Sequence, residues 1–191
     1  MTIQNFAPPN EIATSLKQYF NQYQSYHEQN SPENLQVEFD SDWPSLCYMP
    51  QDSIQPGEHC RWQLVAQDSQ DMFERLADVL QIDIHPDIIH YFSSFWSNHL
   101  PATSPDGDLE LLQVWNQEDM ERLRSNLLGH ALDKQRRKHD LSFFFAVTTS
   151  EEGMLCINNN SGEIWFEIPG KKPKRKISHS LNAFLQSLKP R

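Results

Sequence analysis

Glycine is scarce in this sequence, with six in 191 residues. No glycine-rich turn is present, so the phosphate-cradling loops of nucleotide enzymes are excluded. Cysteine is scarcer still. Cys47, Cys60 and Cys156 are odd in number and widely spaced. Neither a disulfide framework nor a CxxC zinc pair fits, and a reducing cytoplasm is the expected setting. Long apolar runs are also missing. The longest lies near Leu141 to Val147, well short of the ~20 residues of a membrane helix. The opening MTIQNFAPPNEIATS lacks the basic start and apolar stretch of a secretory signal. The expectation is a chain with no membrane span and no leader. The first two thirds are nearly without basic residues. Residues 1–133 hold 21 Asp/Glu against 5 Lys/Arg, a net of −16, and residues 134–191 hold 11 Lys/Arg against 5 Asp/Glu, a net of +6. The acidic part repels nucleic acid and attracts a basic partner within a Debye length, although the same charge also serves solubility.

What is present is aromatic: eleven Phe, five Trp and five Tyr, more than a disordered chain carries. Apolar residues recur at Ile12, Leu16, Tyr19, Phe20, Tyr23 and Tyr26, which predicts a helix over 10–28 after Pro8-Pro9. Short strands are expected near Leu46–Met49 and Cys60–Val65, between the turns DSDWPS and QPGEH. A short helix follows with Phe73, Leu76, Ala77 and Leu80 inward. IHPDIIHYFSSFW reads as another helix, capped by His85, with Pro86 in its first turn and Ile84 and Ile89 as a staple. Ile88, Phe92, Phe95 and Trp96 would form its apolar stripe. PATSPDGD (101–108) reads as a loop leading into a strand at Leu109–Val114. Strands at Leu141–Thr148, Met154–Asn158 and Glu163–Ile168 come next, the last two joined through NNNSG with Gly162 at positive φ. GKKPKRK reads as a loop before a final helix bearing Leu181, Phe184, Leu185 and Leu188. The order predicts a single α+β domain over 1–191, with a mostly antiparallel sheet flanked by helices.

The stretch LLQVWNQEDMERLRSNLLGH (111–130) is the most structured in pattern. Asn116 is placed as an N-cap with Asp119 three residues on, and Trp115 and Met120 take the staple positions. Glu118, Asp119 and Glu121 sit where the helix dipole favours negative charge. Met120, Leu123, Leu127 and Ala131 give the buried stripe of a helix reaching about Gln135. Gly129 suggests a close approach or a break, and His130 reads as a partly buried histidine bonded to backbone, ahead of a catalytic reading.

Tests for chemistry return little. His85 and His90 are five apart, Cys47 and His59-Cys60 lack ligand spacing, and GxSxG is absent. Cys156 falls inside a strand, where a thiol is usually inert. The paired carboxylates Asp106/Asp108/Glu110 and Glu118/Asp119 are the kind usually solvated. The reading is therefore non-enzymatic, with no cofactor and no metal, against a hydrolase built on His130. KKPKRK (171–176) carries five basic residues, suited to phosphate of nucleic acid or lipid or simply to solvent. Without interleaved aromatics it argues against single-stranded nucleic acid.

LLQVWNQEDMERLRSNLLGH, Lys134, FFFAVT, NNNSGEIWFEIPG and LNAFLQSLKP, in that order, resemble the Syd family of gamma-proteobacteria. HPDIIHYFSSFW resembles the segment before that block, and Trp-Pro-Ser at 43–45 and Trp-Gln at 62–63 fit more loosely. The resemblance implies a SUKH-like α+β binding module. It also implies a cytoplasmic protein held peripherally on the inner membrane, binding basic cytosolic loops of SecY in the SecYEG translocon through a concave acidic groove and monitoring that complex. The −16 segment supplies the charge such a groove needs. Candidate groove residues are Asp106, Asp108 and Glu110 on the loop entering a strand, Glu118 and Asp119 at the helix start, and Glu74, Asp83 and Asp87. Trp62 and Trp115 are candidate aromatic walls, Trp115 with its competing role as a staple. The alternative is a SUKH-type immunity protein that neutralises a basic toxin.

Overall fold

The computed structural model describes residues 10–49, 53–67, 71–149 and 152–191; Pro8-Pro9 lie outside them. The chain starts with α1 (Glu11–Asn30), capped by the Asn10 side chain, which accepts from the Ile12 and Ala13 amides at 3.0 and 3.2 Å. Its stripe of Ile12, Leu16, Tyr19, Phe20 and Tyr23 is buried, as the sequence period requires. A 3-10 turn (Pro32–Leu35) leads to β1 (Gln36–Glu38), β2 (Tyr48–Met49) and β3 (His59–Trp62), a small antiparallel sheet in the order β1-β3-β2. β4 (Val65–Ala66), α2 (Asp71–Leu80) and α3 (Pro86–Ser93) follow. His85 does cap α3, its Nδ1 accepting from the Asp87 amide at 3.2 Å.

Phe95 and Trp96 do not extend that helix. They form β5 (Phe95–Trp96), which pairs with β4. Aromatic residues at a helix end satisfy a strand ladder equally well, and the partner at Val65–Ala66 is thirty residues away in sequence. PATSPDGD is likewise not a loop. β6 (Leu100–Ser104) and β7 (Gly107–Leu111) form a tight antiparallel hairpin through it. Pro101 is tolerated because the next strand over, β12 (Lys189–Pro190), pairs only with Ala102 and Thr103. Proline's missing N–H therefore falls beyond that ladder.

α4 (Gln117–Arg137) crosses to β8 (Ser142–Thr148), β9 (Met154–Asn158), β10 (Ile164–Glu167), β11 (Arg175–Ser178) and α5 (Leu181–Gln186). The main sheet is seven-stranded and antiparallel throughout, ordered β11-β10-β9-β8-β7-β6-β12. The end of the basic loop is thus an edge strand, paired to β10. Charged side chains on an edge are a usual guard against further strand pairing. Gly162 takes φ +71° in the β9–β10 turn, as expected. The helices and the sheet share one hydrophobic core that includes Tyr91, Phe92, Phe143, Phe145 and Phe166. Among the described residues no helix is long and apolar enough to cross a membrane.

One polar network sits inside this core. Lys134 of α4 and Glu167 of β10 are buried and 2.7 Å apart. The Lys134 ammonium also donates to Ser142 Oγ at 2.5 Å and to the Asp140 carbonyl at 3.1 Å, and Ser142 donates to Glu167 at 2.8 Å. Gly129, three turns or so into the same helix, has open space on its side. A Cβ added there meets nothing within 4 Å, and the helix continues to Arg137. The expected close approach or break is overturned: Gly129 lies on the exposed face.

Two stability outcomes follow. Lys134→Met strands a buried carboxylate and should lower the unfolding free energy by about 3–5 kcal/mol. The double variant Lys134→Met/Glu167→Leu should lose less than Lys134→Met alone, by urea unfolding. Gly129→Ala should raise stability by about 0.5–1 kcal/mol through helix propensity alone.

Candidate functional site

A cleft of about 520 Å³ opens where the small sheet meets the start of α4. One wall is β1 and the segment after it, carrying Glu38, Asp40 and Trp43, with Tyr48 of β2 beside them. The opposite wall is Trp115 with Asp119 and Arg122 of α4, and His99 closes one side. Glu38 and Asp40 are exposed, while Trp43, Tyr48, Trp115 and Asp119 are partly buried. Three carboxylates thus surround three aromatic rings.

Local chemistry builds these walls. Asn116 caps α4, accepting from the Asp119 amide at 2.9 Å. Asp119 in turn reaches back to the Trp115 amide at 2.9 Å, one residue beyond the partner a capping box usually takes. The WPS segment is tied to this cap from outside. Ser45 Oγ donates to the Trp115 carbonyl at 2.5 Å, and the Asn116 amide nitrogen donates to the Pro44 carbonyl at 2.9 Å. Tyr48 meets Trp115 edge to face with centroids 5.0 Å apart, and its hydroxyl accepts from the Asp40 amide. Trp62 backs Trp115 at 6.2 Å and Phe20 at 5.2 Å, which makes a continuous aromatic support from core to cleft. A second, more apolar hollow of about 390 Å³ also touches Trp115 and is lined by Leu46 and Trp96. Leu46 is 71% exposed there.

Inside the cleft, Arg122 lays its guanidinium over the Trp43 ring, 4.1 Å from the centroid, and approaches Glu118 at 3.6 Å. The site thereby already holds one cation on an aromatic face, an arrangement favoured by the ring quadrupole.

The residues singled out from sequence are distributed as follows. Trp115 and Asp119 line the cleft, and Glu118 borders it through Arg122. Trp62 is 5% exposed and belongs to the core beneath. Asp106 and Asp108 are on the β6–β7 hairpin, where Asp106 pairs with Arg175 and Asp108 takes the Thr103 hydroxyl at 2.7 Å and Arg191 at 3.2 Å. The Thr103 hydroxyl, then Arg191, holds the Asp108 carboxyl below its ordinary range. Glu110 is half-buried on β7, and Glu74 and Asp83 are exposed on or after α2. Asp87 stands in the first turn of α3. These acids do not share one cavity with Asp119. Glu38, Asp40, Trp43 and Tyr48 were not selected from the sequence. The available signal was WPS itself, whose serine and proline serve the Trp115 cap while its tryptophan faces the cleft.

The matches to known proteins decide the family. A family model described as Syd protein (SUKH-2) matches residues 13–190. The chain belongs to the Syd family. Protein Syd of Alteromonas mediterranea is 39% identical over 166 residues, covering 87% of this chain and 91% of the relative. Protein Syd of Colwellia psychrerythraea is 36% identical over 186 residues, covering 93% and 92%. That of Pseudoalteromonas atlantica is 36% identical over 154 residues, covering 81% and 83%. The mixed fold with its curled antiparallel sheet is thus a Syd fold, and the resemblance carried by residues 111–130 holds across the chain.

A second cluster in this Syd chain has the residue types of a metal site. His130, Cys156 and Glu167 present ligand atoms within 4.8 Å of one another. The donor set is already committed, because both Glu167 oxygens are held by Lys134 and one also by Ser142. Burial drives the Cys156 thiol well above its ordinary range, the reverse of what a thiolate ligand needs. His130 packs edge-on against Phe144, with ring centroids 5.5 Å apart, and its Nε2 is buried without a hydrogen-bond partner among the described residues.

Burial, with Lys134 nearby, also lowers the affinity of His130 for a proton. A depressed folded value means that neutral His130 contributes stability fully above the unfolded value of about 6.5, and that this is lost as pH falls below it. Wild type should therefore lose more stability than His130→Gln on acidification from about pH 7 to pH 5, measured by urea unfolding at each pH. Parallel pH profiles for the two proteins would refute this.

Proposed function

We propose that the cleft is a binding site for a basic polypeptide segment, and that its partner is the cytosolic loops of the SecY channel. The observation that carries this reading is the Arg122 guanidinium stacked on Trp43 among Glu38, Asp40 and Asp119. A cleft that accommodates its own arginine in this way offers the same aromatic faces and carboxylates to an incoming Lys or Arg. Family membership supports the partner, and the physical fit is direct. Cytosolic loops of membrane proteins are enriched in Lys and Arg, and a cleft of this sign attracts them from a distance. The protein on this reading is a non-enzymatic module, held peripherally at the cytoplasmic face of the inner membrane by its protein partner, where it can report on the state of the SecYEG complex.

The division of labour inside the site follows from burial. Glu38 and Asp40 are exposed, so they act mainly on encounter rate and specificity. Trp43, Tyr48 and Trp115 are partly desolvated and rigidly supported, so they carry more of the affinity. Asp119 joins the two roles, since one of its oxygens fixes the Trp115 backbone. Of the sequence-selected acids, Asp106 and Asp108 are left outside the binding surface, because intrachain cations already neutralise them.

Binding of fluorescent peptides copied from basic SecY cytosolic loops tests the assignment. Glu38→Gln/Asp40→Asn should weaken binding by about tenfold at low salt and flatten its salt dependence. Trp43→Ala should cost about 2 kcal/mol at all salt concentrations. Asp106→Asn/Asp108→Asn should change binding little. Loss of binding in the hairpin variant with the cleft variants unaffected would move the site away from the cleft.

A further inference from the structure

A cluster of cations lies at the far end of α4. The helix ends in Arg136, Arg137 and Lys138, with Lys138 in the left-handed conformation at φ 57°. The loop between β10 and β11 comes against this end. A Cβ on Gly170 would lie 3.2 Å from the Arg137 guanidinium, and Lys171 and His139 line one small cavity of about 190 Å³. The topology therefore brings Lys171 beside His139 and Gly170 beside Arg137, with Arg136, Lys138 and Lys172 next to them in sequence, although 33 positions separate Lys138 from Lys171.

The loop's cations divide into two sets. Arg175 pairs with Asp106, Lys176 with Glu163, and Lys174 lies 5.4 Å from the Phe166 ring centroid, so these stitch the edge strand to the fold. Lys171, Lys172 and Lys138 are exposed, and among the described residues none of the three is in an ion pair. The described carboxylates near them are Asp133, which holds Arg136 and Arg137 at its two oxygens, the exposed Asp140, and Glu167, which lines the same cavity but is committed to Lys134. Among the described residues, three of these five cations have no charged partner.

We propose that this patch contacts the anionic headgroups of a lipid bilayer. The inference rests on the reading above in one respect: the lipid contact serves to hold the acidic cleft beside a membrane-embedded protein. A plane of headgroups suits a small patch better than nucleic acid does. The rest of the chain is strongly acidic, and a duplex or strand that extended past the patch would meet that charge. A bilayer touched at one end of the molecule leaves most of the acidic surface beyond the Debye length. The span fits as well. Arg122 and Lys138 are sixteen residues apart on one helix, so about 25 Å separates the cleft from the patch along α4. Lipid contact would then raise the effective concentration of the cleft around loops that project from the same membrane.

Sedimentation with protein-free vesicles tests the patch without SecY. Wild type should sediment with vesicles of phosphatidylglycerol and phosphatidylethanolamine at low salt, and not with phosphatidylcholine vesicles or at high salt. Lys171→Glu/Lys172→Glu should reduce that partitioning by about thirtyfold or more while thermal unfolding and binding of soluble basic peptide stay unchanged. No sedimentation of wild type with anionic vesicles, or equal sedimentation of wild type and variant, would overturn the proposal. So would tighter binding to duplex DNA or RNA than to the vesicles. Glu38→Gln/Asp40→Asn separates the two readings. It should retain vesicle binding, and a failure of peptide binding in wild type would remove the cleft reading while leaving the lipid result standing.

Discussion

The buried contact among Lys134, Glu167 and Ser142 is the constraint on which the rest of the molecule depends. An ammonium and a carboxylate taken out of water carry a large desolvation cost, offset only when geometry is good and the remaining donors and acceptors are satisfied. Here the ammonium reaches both carboxylate oxygens, a hydroxyl and a backbone carbonyl. Such a network tolerates few positions. It fixes the rotation of α4 about its axis and its height above β8 and β10, in a way that a stripe of Leu and Met does not. Leu123, Leu127 and Ala131 then pack the same face without having to specify it.

A helix fixed at one end transmits that placement to the other. At the N-terminal end of α4, three hydrogen bonds link the cap to its surroundings: Asp119 to the Trp115 amide, Ser45 to the Trp115 carbonyl, and Asn116 to Pro44. The cleft exists because the WPS segment and the cap are bound to each other and α4 is held from behind. Its aromatic wall is continuous with the core through Trp62 and Phe20, so the rings that face solvent inherit the rigidity of the interior. Charge follows the same axis. Acids gather near the start of α4 and cations at its end, which is the arrangement the helix dipole favours. Local helix stability and the two oppositely charged surfaces therefore make no conflicting demands.

Much of this was legible in the sequence where the cause is local. The Asn116 cap, the His85 cap, the α1 stripe and the Gly162 turn depend on residues within four or five positions of each other, and each formed as its pattern implied. The failures share the opposite property. Phe95-Trp96 became a strand because Val65-Ala66 came to pair with it. PATSPDGD became a hairpin because β8 and β12 extend the ladder on both sides. The basic loop's last residues became an edge strand because β10 offered a free edge. Strand pairing is a long-range interaction, and neither proline content nor charge in a short window reports on the partner.

The same division applies to function. The sequence by itself determined the α+β class, the family, and the separation of an acidic first part from a basic last part, because composition, periodicity and ordered motifs survive without coordinates. Only the tertiary structure decided which charges are paired within the chain and which stand exposed. Asp106 and Asp108 are as acidic in sequence as Glu38 and Asp40, yet the fold brings Arg175 and Arg191 onto the first pair and leaves the second pair exposed beside Trp43 and Trp115. Lys171 and Lys176 belong to one basic run, and the fold pairs Lys176 with Glu163 while exposing Lys171 beside the end of α4. A charge already paired within its own chain has less to gain from a partner, and that pairing is settled by contacts between residues far apart in sequence.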